Sequence, residues 1–369
     1  MKRRITKGLR LFAGLAATYL LISCTGLSDT QTVGDSIYVA GYSSARGNVS
    51  IPCFWAYGQE YTLINVLDAS KPGQAYAIVN TGGSTYISGY TCNTSGARVP
   101  CYWKDGVRTD ISLPASSSAG GWEAGLAVSG GSVYTSGYYI DSSNIAHPCL
   151  GTNASWADLP VIDTNKGGQA KGVLVSGSDI YVWGNVIDAS GVTVACYWKN
   201  SSLIQLPPPI GSTGSWIDGL TLDSSGNVYA AGAVVTSGGV TTPCYWDGSG
   251  VPTTLTVLDG TQGGEATGGI ILDGAHIIVA GRNGSSSGVS VPCYWLDGNR
   301  SDLPMLDATK GGEVEGMIMS GTDTYLAGMT MDSWGYNVPC YWKNGTRVDL
   351  LAPYSRLPGV AYGLALPPQ

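Results

Sequence analysis

Short apolar runs alternate with turn-forming residues along most of the chain, and residues 168–206 show the pattern well. The turn between the first two runs is Ser-Gly-Ser-Asp, whose residue types favour a hairpin. Runs of this length, bounded by turn residues, predict four antiparallel strands with no helix between them. The four predicted strands cover residues 169–175, 180–185, 193–198 and 203–206.

A Pro-Cys-Tyr-Trp cluster recurs about every 48 residues in the predicted third strand. A second signal, Tyr-x-x-Gly, recurs in the predicted second strand and becomes Ile-x-x-Gly once. A fixed period in this range indicates an array of supersecondary units. The seven copies of the cluster begin at Pro52, Pro100, Pro148, Ala195, Pro243, Pro292 and Pro339; the third copy reads Pro-Cys-Leu and lacks the tryptophan.

Four antiparallel strands in about 48 residues are typical of a β-propeller blade. We therefore predict an all-β fold, a seven-bladed β-propeller of four-stranded antiparallel blades. The first blade begins with a second strand at 36–42, and residues 359–366 have the pattern of a first strand. We expect this C-terminal strand to complete blade one, so that the ring closes without an open edge.

The segment Asp223–Gly232, with the sequence Asp-Ser-Ser-Gly-Asn-Val-Tyr-Ala-Ala-Gly, resembles the β-propeller repeats of exported bacterial proteins. The resemblance covers about residues 36–366, and the repeat has a kelch-like length. No WD-repeat dipeptide pattern is present, and the double glycine stands before strand one, where kelch repeats carry it after strand two. The resemblance implies the fold and an exported setting, and it carries no catalytic residues to this chain.

Residues 1–24 read as an export signal, with a cationic start and an apolar run from Leu11 to Ile22. The following Leu21-Ile22-Ser23-Cys24 resembles the lipobox of bacterial lipoproteins, which implies acylation of Cys24. An ordinary secretory signal or an anchor helix is the alternative. We predict a lipoprotein signal at 1–24, a flexible tether at 25–35 and one propeller domain at 36–369. The expected location is the bacterial cell envelope, at the outer membrane or cell surface, with the membrane contacted through the lipid.

The charge of the predicted mature chain is strongly negative. The signal contains five of the 19 Lys and Arg residues and none of the 26 Asp and Glu residues, which leaves 14 basic against 26 acidic residues and a net charge of −12. Such an excess repels phosphate backbones, so we predict no nucleic-acid partner. No heptad pattern predicts an oligomer, and we expect a monomer.

The repeated cysteines stand in equivalent strands of successive blades. Stacked sheets lie about 10 Å apart, whereas bridged cysteine Cα atoms lie roughly 4.4–6.8 Å apart, so these cysteines should not form disulfides. They also do not converge on one metal ion. We predict that they are small apolar spacers beside the tryptophans. Cys92, in the polar segment 91–97, is expected to be an accessible thiol.

Two positions on each predicted first strand vary from blade to blade at one mouth of the shaft, and we call their side chains the shaft mouth. The first position reads Gln74, Trp122, Gln169, Trp216, Glu265, Glu313 and Val360. The second position, two residues on, reads Tyr76, Ala124, Lys171, Asp218, Thr267, Glu315 and Tyr362. The next residue is small, as expected where seven backbones crowd together.

Aromatic faces at the shaft mouth could stack on a sugar, and the amides and acids could hydrogen-bond it. Packing between blades is the alternative role for these side chains. The candidate ligand-binding residues are Trp122, Trp216, Tyr76, Tyr362, Gln74, Gln169, Lys171, Asp218, Glu265, Glu313 and Glu315.

The histidines, the recurring aspartates and the arginines outside the shaft mouth give little support for catalysis or metal binding. His147 and His276 are expected on opposite rims, which argues against a Ser-His-acid site. One aspartate per blade offers too few oxygens for calcium and suits turn initiation better; these are Asp68, Asp163, Asp259 and Asp307. Sialidase-like propellers use an arginine cluster at the shaft, whereas Arg108, Arg300 and Arg347 here fall in or beside outer strands. We therefore assign no catalytic residue, metal site or cofactor.

These patterns favour a membrane-anchored, non-catalytic binding module for a glycan or an envelope protein, acting through the loop-rich rim. One alternative is a carbohydrate hydrolase that uses carboxylates at the shaft mouth, since glycosidases need two carboxyl groups about 5–9.5 Å apart. Another is a structural envelope protein without a small-molecule site.

Overall fold

Each repeat forms antiparallel strands joined by short turns, as the alternation of apolar and polar residues predicts. The computed structural model describes residues 37–44, 49–350 and 358–368. Every regular element within these ranges is a β-strand, which confirms the all-β prediction. Accordingly, these ranges contain no helix long and apolar enough to cross a membrane. The predicted signal and tether, with Cys24, lie outside the described residues.

Five sheets contain four antiparallel strands each. The first consists of β28 (Gly359–Ala365), β1 (Tyr38–Ser44), β2 (Ser50–Ala56) and β3 (Gln59–Thr62). The next two consist of β12 (Gly168–Ser176), β13 (Asp179–Ile187), β14 (Thr193–Lys199) and β15 (Ser202–Gln205), and of β16 (Gly214–Leu222), β17 (Val228–Val235), β18 (Thr241–Trp246) and β19 (Pro252–Thr254). The last two consist of β20 (Gly264–Asp273), β21 (His276–Gly284), β22 (Ser290–Leu296) and β23 (Asn299–Asp302), and of β24 (Gly312–Ser320), β25 (Asp323–Met331), β26 (Asn337–Lys343) and β27 (Thr346–Asp349).

An eight-stranded sheet contains the two remaining repeats. Its halves are joined by a single parallel bridge between Arg98 and Gly120. One half consists of β4 (Gly73–Thr81), β5 (Ser84–Cys92), β6 (Arg98–Lys104) and β7 (Val107–Asp110). The other consists of β8 (Ser117–Ser129), β9 (Ser132–Asp141), β10 (Ala146–Thr152) and β11 (Ser155–Asp158).

The C-terminal strand β28 pairs with β1 at the other end of the chain, with Val39 opposite Leu364. The last described strand therefore pairs with the first described strand, as expected. Contacts also run from sheet to sheet through the strands that begin each repeat: β4 contacts β8, β8 contacts β12, β12 contacts β16, β16 contacts β20, β20 contacts β24, and β28 contacts both β24 and β4.

The sequence places Asp-Gly or Asn-Gly before the fourth strand at Asp105-Gly106, Asp247-Gly248, Asp297-Gly298 and Asn344-Gly345, and three of these four pairs form the two-residue turns that they predict. Asp105 and Gly106 have φ values of 50° and 79°, the left-handed pair that a tight hairpin needs. The prediction of a two-residue turn at Asp247-Gly248 is wrong. There the loop spans residues 247–251, Gly250 takes the positive φ of 74°, and the Asp247 carboxylate accepts the Ser249 backbone N–H at 2.9 Å.

The repeated cysteine and tryptophan form the interior layer of each sheet. All seven repeat cysteines are fully buried and none of them forms a disulfide, which confirms their predicted packing role. Six repeat tryptophans are buried to 1% exposure or less. Where an indole partner is resolved, the ring N–H donates to a carbonyl of the preceding inter-repeat loop, as Trp198 does to Pro160 at 2.7 Å. This bond satisfies the only polar atom of a large buried ring.

The third repeat lacks its tryptophan and fills the place from another strand. Gly151 occupies the usual tryptophan position and pairs with Trp156 of β11. The Trp156 ring covers the site where a Gly151 side chain would stand, and its indole N–H donates to Thr135 Oγ1 at 3.0 Å. Trp156 is 5% exposed, so the interior volume is conserved although the repeat motif is broken.

Cys92 is buried at 3% exposure, so the expectation of an accessible thiol is wrong. Strand β5 continues through Cys92, whereas the sequence reading ended the strand earlier and placed this residue in a polar loop. Burial also raises the pKa of the Cys92 thiol, although Arg98 and Lys71 oppose the rise.

Candidate functional site

Every strand that begins a repeat contains a β-bulge, where its register against the next strand shifts. A bulge leaves one residue outside the ladder and redirects its side chain. The bulged residues are the second-position residues of the shaft mouth: Tyr76, Ala124, Lys171, Asp218, Glu315 and Tyr362, with Thr267 inside a longer bulge in β20.

The glycine of each Tyr-x-x-Gly run stands opposite the bulge and makes it possible. A Cβ atom on Gly89 would overlap the Gln74 carbonyl oxygen and lie 2.9 Å from the Cα atom of Ala75. In each repeat the carbonyl oxygen of the first-position residue occupies this space. The seven glycines are Gly41, Gly89, Gly137, Gly184, Gly232, Gly281 and Gly328.

A cavity of about 360 Å³, the Trp216 cavity, opens beside the β16 bulge. Its lining includes Gln169, Lys171, Asn185, Trp216 and Glu265. The Trp216 indole N–H donates to Glu265 Oε1 at 2.6 Å, which sets the orientation of the ring. Within the described residues, no aromatic ring stacks on Trp216.

Charged pairs support the Trp216 cavity. Arg282 donates to Glu265 Oε2 at 3.0 Å, and its Nε atom lies 3.4 Å from Glu313 Oε2. Lys171 forms an ion pair with Asp218 across neighbouring sheets. Burial raises the pKa of the Asp218 carboxyl, whereas the Lys171 ammonium opposes the rise. The carboxylates near the Trp216 cavity are therefore partnered by cations from within the protein.

A second cavity of about 280 Å³, the tyrosine cavity, is lined by Tyr76, Trp122, Ala124, Tyr138, Glu315 and Tyr362. The Trp122 and Tyr138 rings stack with centroids 5.1 Å apart and an interplanar angle of 7°. The Tyr76 and Tyr362 rings are 5.1 Å apart. Tyr76 donates its hydroxyl proton to Gln74 Oε1 at 2.7 Å.

Glu315 contributes the carboxyl group of the tyrosine cavity. Burial raises the pKa of Glu315 well above its usual range, and the neighbouring Glu313 carboxylate raises it further. Arg282 opposes this shift without cancelling it. Two neighbouring carboxyl groups cannot both ionise easily, so the Glu315 carboxyl keeps its proton to a higher pH than an ordinary glutamate does.

Arg98 completes this side of the shaft mouth. Its guanidinium carbon lies 4.6 Å from the centroid of the Tyr90 ring and 4.9 Å from that of the Trp122 ring. The Trp122 ring therefore contacts both Arg98 and Tyr138. The Trp216 ring, on which no described ring stacks, is better suited to stack on a sugar.

In the structure the candidate residues of the shaft mouth fall into two groups, one around each cavity. The Trp216 cavity takes Gln169, Lys171, Trp216 and Glu265, and the tyrosine cavity takes Tyr76, Trp122, Glu315 and Tyr362. Gln74 accepts a hydrogen bond from Tyr76, and Asp218 pairs with Lys171. Glu313 lies 3.4 Å from Arg282, which also binds Glu265. Sequence reasoning missed Arg98, Arg282 and Tyr138, because all three lie on second or third strands. The signal available in the sequence was the alternation of side chains along these strands, which places all three on the same sheet face as first-position residues such as Gln74 and Trp122.

The remaining polar candidates have structural roles. Asp68 accepts hydrogen bonds from the backbone and hydroxyl of Ser70, at 2.9 and 2.7 Å, so its predicted turn role is confirmed. His147 bonds Asp141 at 3.1 Å, and His276 bonds Asp297 at 2.6 Å. Across the described ranges, no group of three or more His, Cys, Asp or Glu side chains could hold a metal ion.

Comparison with solved structures identifies the kind of fold. An ulvan lyase from a new family of polysaccharide lyases, bound to -[GlcA(1-4)Rha3S]-, is 10% identical with a TM-score of 0.51, over 80% of this chain and 87% of that one. The puromycin hydrolase S511A mutant complexed with PGG is 12% identical with a TM-score of 0.53, over 88% of this chain. This chain has a β-propeller-like fold.

The likeness to these two proteins concerns the fold alone, because the identities are only 10% and 12%. The chain spans about half of the puromycin hydrolase, covering 54% of its length. No protein-family model and no curated protein matches the sequence.

Proposed function

We propose that the protein is a non-catalytic binding module that holds a glycan at the shaft mouth. The Trp216 cavity carries this proposal. It combines an indole ring without a stacked neighbour, a primary amide from Gln169, an ammonium from Lys171 and a carboxylate from Glu265. Sugars present apolar C–H faces and hydroxyl groups, and this combination matches both.

Preorganisation supports the same proposal. Trp216 is held by Glu265, and Glu265 is held by Arg282, so the ring does not need to be ordered when a ligand binds. Each side chain that is already immobile saves about 0.5–1.5 kcal/mol of ordering free energy on binding. Rigid β-strands place both residues, and such positions hold a site more accurately than loops do.

A glycan and envelope-polysaccharide array tests the proposal, followed by calorimetry on the best ligand. Trp216→Ala should weaken binding at least tenfold, whereas Trp216→Phe should retain part of it, because the ring face remains and only the N–H bond is lost. Trp334→Ala is the matched control, since Trp334 is 75% exposed and lines neither cavity. Equal affinities of Trp216→Ala and wild type would refute the proposal. Silence on every glycan would favour a protein partner or a structural role.

A carbohydrate hydrolase is the second candidate, and Glu315 is the observation that favours it. A carboxyl group held protonated in a cavity could act as a general acid. Glu265 and Glu313, the other two glutamates of the shaft mouth, are instead held by Arg282. Mass spectrometry of glycans after incubation tests this candidate: products that disappear in Glu315→Gln would establish hydrolysis, and intact glycans would exclude it for the ligands tested.

We also propose that the repeats form a closed ring of seven blades. The contacts that run from β28 through β4, β8, β12, β16, β20 and β24 back to β28 support this arrangement, as does the β1–β28 pairing. Deleting residues 358–369 should then open one blade and expose the edge of β1. Small-angle scattering should show a larger radius of gyration for the truncated protein; an unchanged radius would contradict closure.

We also propose that Cys24 carries a lipid that anchors the protein to a membrane, because a cationic start, an apolar run and a lipobox-like segment precede it. Palmitate labelling of wild type and Cys24→Ser tests the anchor, and labelling of both proteins would exclude it.

A further inference from the structure

Arg98 differs from the other described arginines because no described carboxylate pairs with it. It contacts aromatic rings instead. These contacts leave the positive charge of the guanidinium without a carboxylate partner, and a planar guanidinium suits a carboxylate or sulfate group. The four arginines that do pair with Asp or Glu are Arg108, Arg282, Arg300 and Arg347.

The position of Arg98 is held by its backbone as well as by its side chain. Its main chain pairs with Cys92 of β5 on one side and with Gly120 of β8 on the other. This residue therefore forms the bridge between two repeats. Because strand pairing holds the backbone of Arg98 and aromatic rings contact its guanidinium, the side chain loses little conformational entropy when it binds a ligand.

The tyrosine cavity beside Arg98 is lined with neutral hydrogen-bond donors. Burial raises the pKa values of Tyr76, Tyr138 and Tyr362, so all three stay uncharged. Tyr76 donates its proton to Gln74, which leaves Tyr138 and Tyr362 as donors. The raised pKa of Glu315 lowers the negative charge of its carboxyl group. Donors without negative charge favour an anion.

The nearest full negative charges are matched by cations of the protein. Lys171 pairs with Asp218, and Arg282 lies between Glu265 and Glu313. Arg98 is therefore a local positive site within a protein whose predicted mature charge is strongly negative.

We propose that the tyrosine cavity binds the anionic group of an acidic glycan, a carboxylate or sulfate on a sugar ring, with Arg98 as its cationic partner. This inference rests on the proposed glycan-binding function and names the substrate class. The Trp216 cavity would hold a neighbouring sugar of the same chain, because both cavities lie at one shaft mouth.

Calorimetry on the full-length protein tests the inference with three probes: a galacturonate tetrasaccharide, its methyl ester, and a sulfated galactose tetrasaccharide. The first two differ only in charge. We expect the free acid to bind at least tenfold more tightly than the ester, and Arg98→Gln to remove that difference by weakening binding of the acid much more than binding of the ester. Arg98→Lys should retain part of the preference, because the charge remains. Lys310→Gln is the matched control, since Lys310 is an exposed cation outside both cavities.

The outcomes separate the two proposals. Tighter binding of the free acid or of the sulfated probe, lost in Arg98→Gln, supports the inference and identifies the anion. Equal binding of all three probes overturns it and leaves the Trp216 proposal standing, as does an equal loss of acid and ester affinity in Arg98→Gln. Failure of Trp216→Ala to weaken any probe removes the glycan-binding proposal itself. Thermal unfolding of each variant shows whether a loss reflects misfolding.

Discussion

Gly89→Ala is the sharpest test of how the bulges are built. The new methyl carbon would overlap the Gln74 carbonyl oxygen and stand 2.9 Å from the Gln74 carbonyl carbon and from Cα of Ala75. Non-bonded carbon atoms pack at about 3.5–4.0 Å, so the two carbon contacts alone require β4 to move by roughly 0.6–1.1 Å, and the closer oxygen requires the upper part of that range. All three clashing atoms are backbone, and no side-chain rotation can relieve them.

The expected loss of stability follows from this geometry. Overpacking costs about 1–3 kcal/mol, and moving β4 weakens one or two ladder hydrogen bonds at roughly 0.5–1.5 kcal/mol each. The lower entropy of the unfolded alanine chain returns about 0.4–1 kcal/mol. We therefore expect the free energy of unfolding to fall by about 2–4 kcal/mol. Tyr76, the residue beside the clash, should also leave its hydrogen bond to Gln74.

Urea unfolding of Gly89→Ala measures the loss, and Gly260→Ala is the control. Gly260 has no heavy atom within 4 Å of an added Cβ and does not have a left-handed φ, so its substitution should change stability by less than about 0.5 kcal/mol. If the two variants unfold at the same urea concentration, the glycine is not what permits the bulge and the reasoning fails.

Three further predictions concern the sheets. Burial raises the pKa of Glu60 to about 6, so the native state holds a proton that the unfolded state loses, and the free energy of unfolding falls as pH rises from about 4.5 to 6. Glu60→Gln should therefore raise the free energy of unfolding by up to about 2 kcal/mol at pH 8 and leave it unchanged at pH 4. Asp273→Asn is the control, because Asp273 is exposed and its substitution should show no such pH dependence. Trp156→Ala should cost about 3–5 kcal/mol in urea unfolding, as Trp198→Ala should in a regular repeat, and a loss below 1 kcal/mol would contradict its core role. Cys92 should react with a disulfide reagent only after unfolding, so rapid labelling of the native protein would contradict its burial.

Much of the fold could be predicted because the signal repeats. The Pro-Cys-Tyr-Trp cluster and the Tyr-x-x-Gly run report strands that are buried in the same way in each sheet. The exceptions arise where a contact crosses strands. Nothing beside Gly151 in sequence indicates that Trp156 fills its place, and the continuation of β5 to Cys92 depends on pairing with Arg98.

The candidate site was predicted in part for a related reason. First-strand residues such as Trp216 and Glu315 could be selected, because they vary where the scaffold repeats. Their partners come from other strands and other sheets, so Arg98 and Arg282 were found only in three dimensions. The bulge also escaped prediction, because strict alternation assumes a regular ladder and the opposing glycine, Gly89 for example, reads as an ordinary strand residue.

The pairing of β1 with β28 has a consequence for synthesis on the ribosome. Ser43 pairs with Gly359, so the edge of β1 waits for its partner while more than three hundred residues are translated. At about 5–20 residues per second, this takes roughly 15–60 s. Throughout that time an unpaired strand edge is able to join another nascent chain. The cell must therefore shield the first strand until the last one emerges, or secrete the chain before either strand can fold.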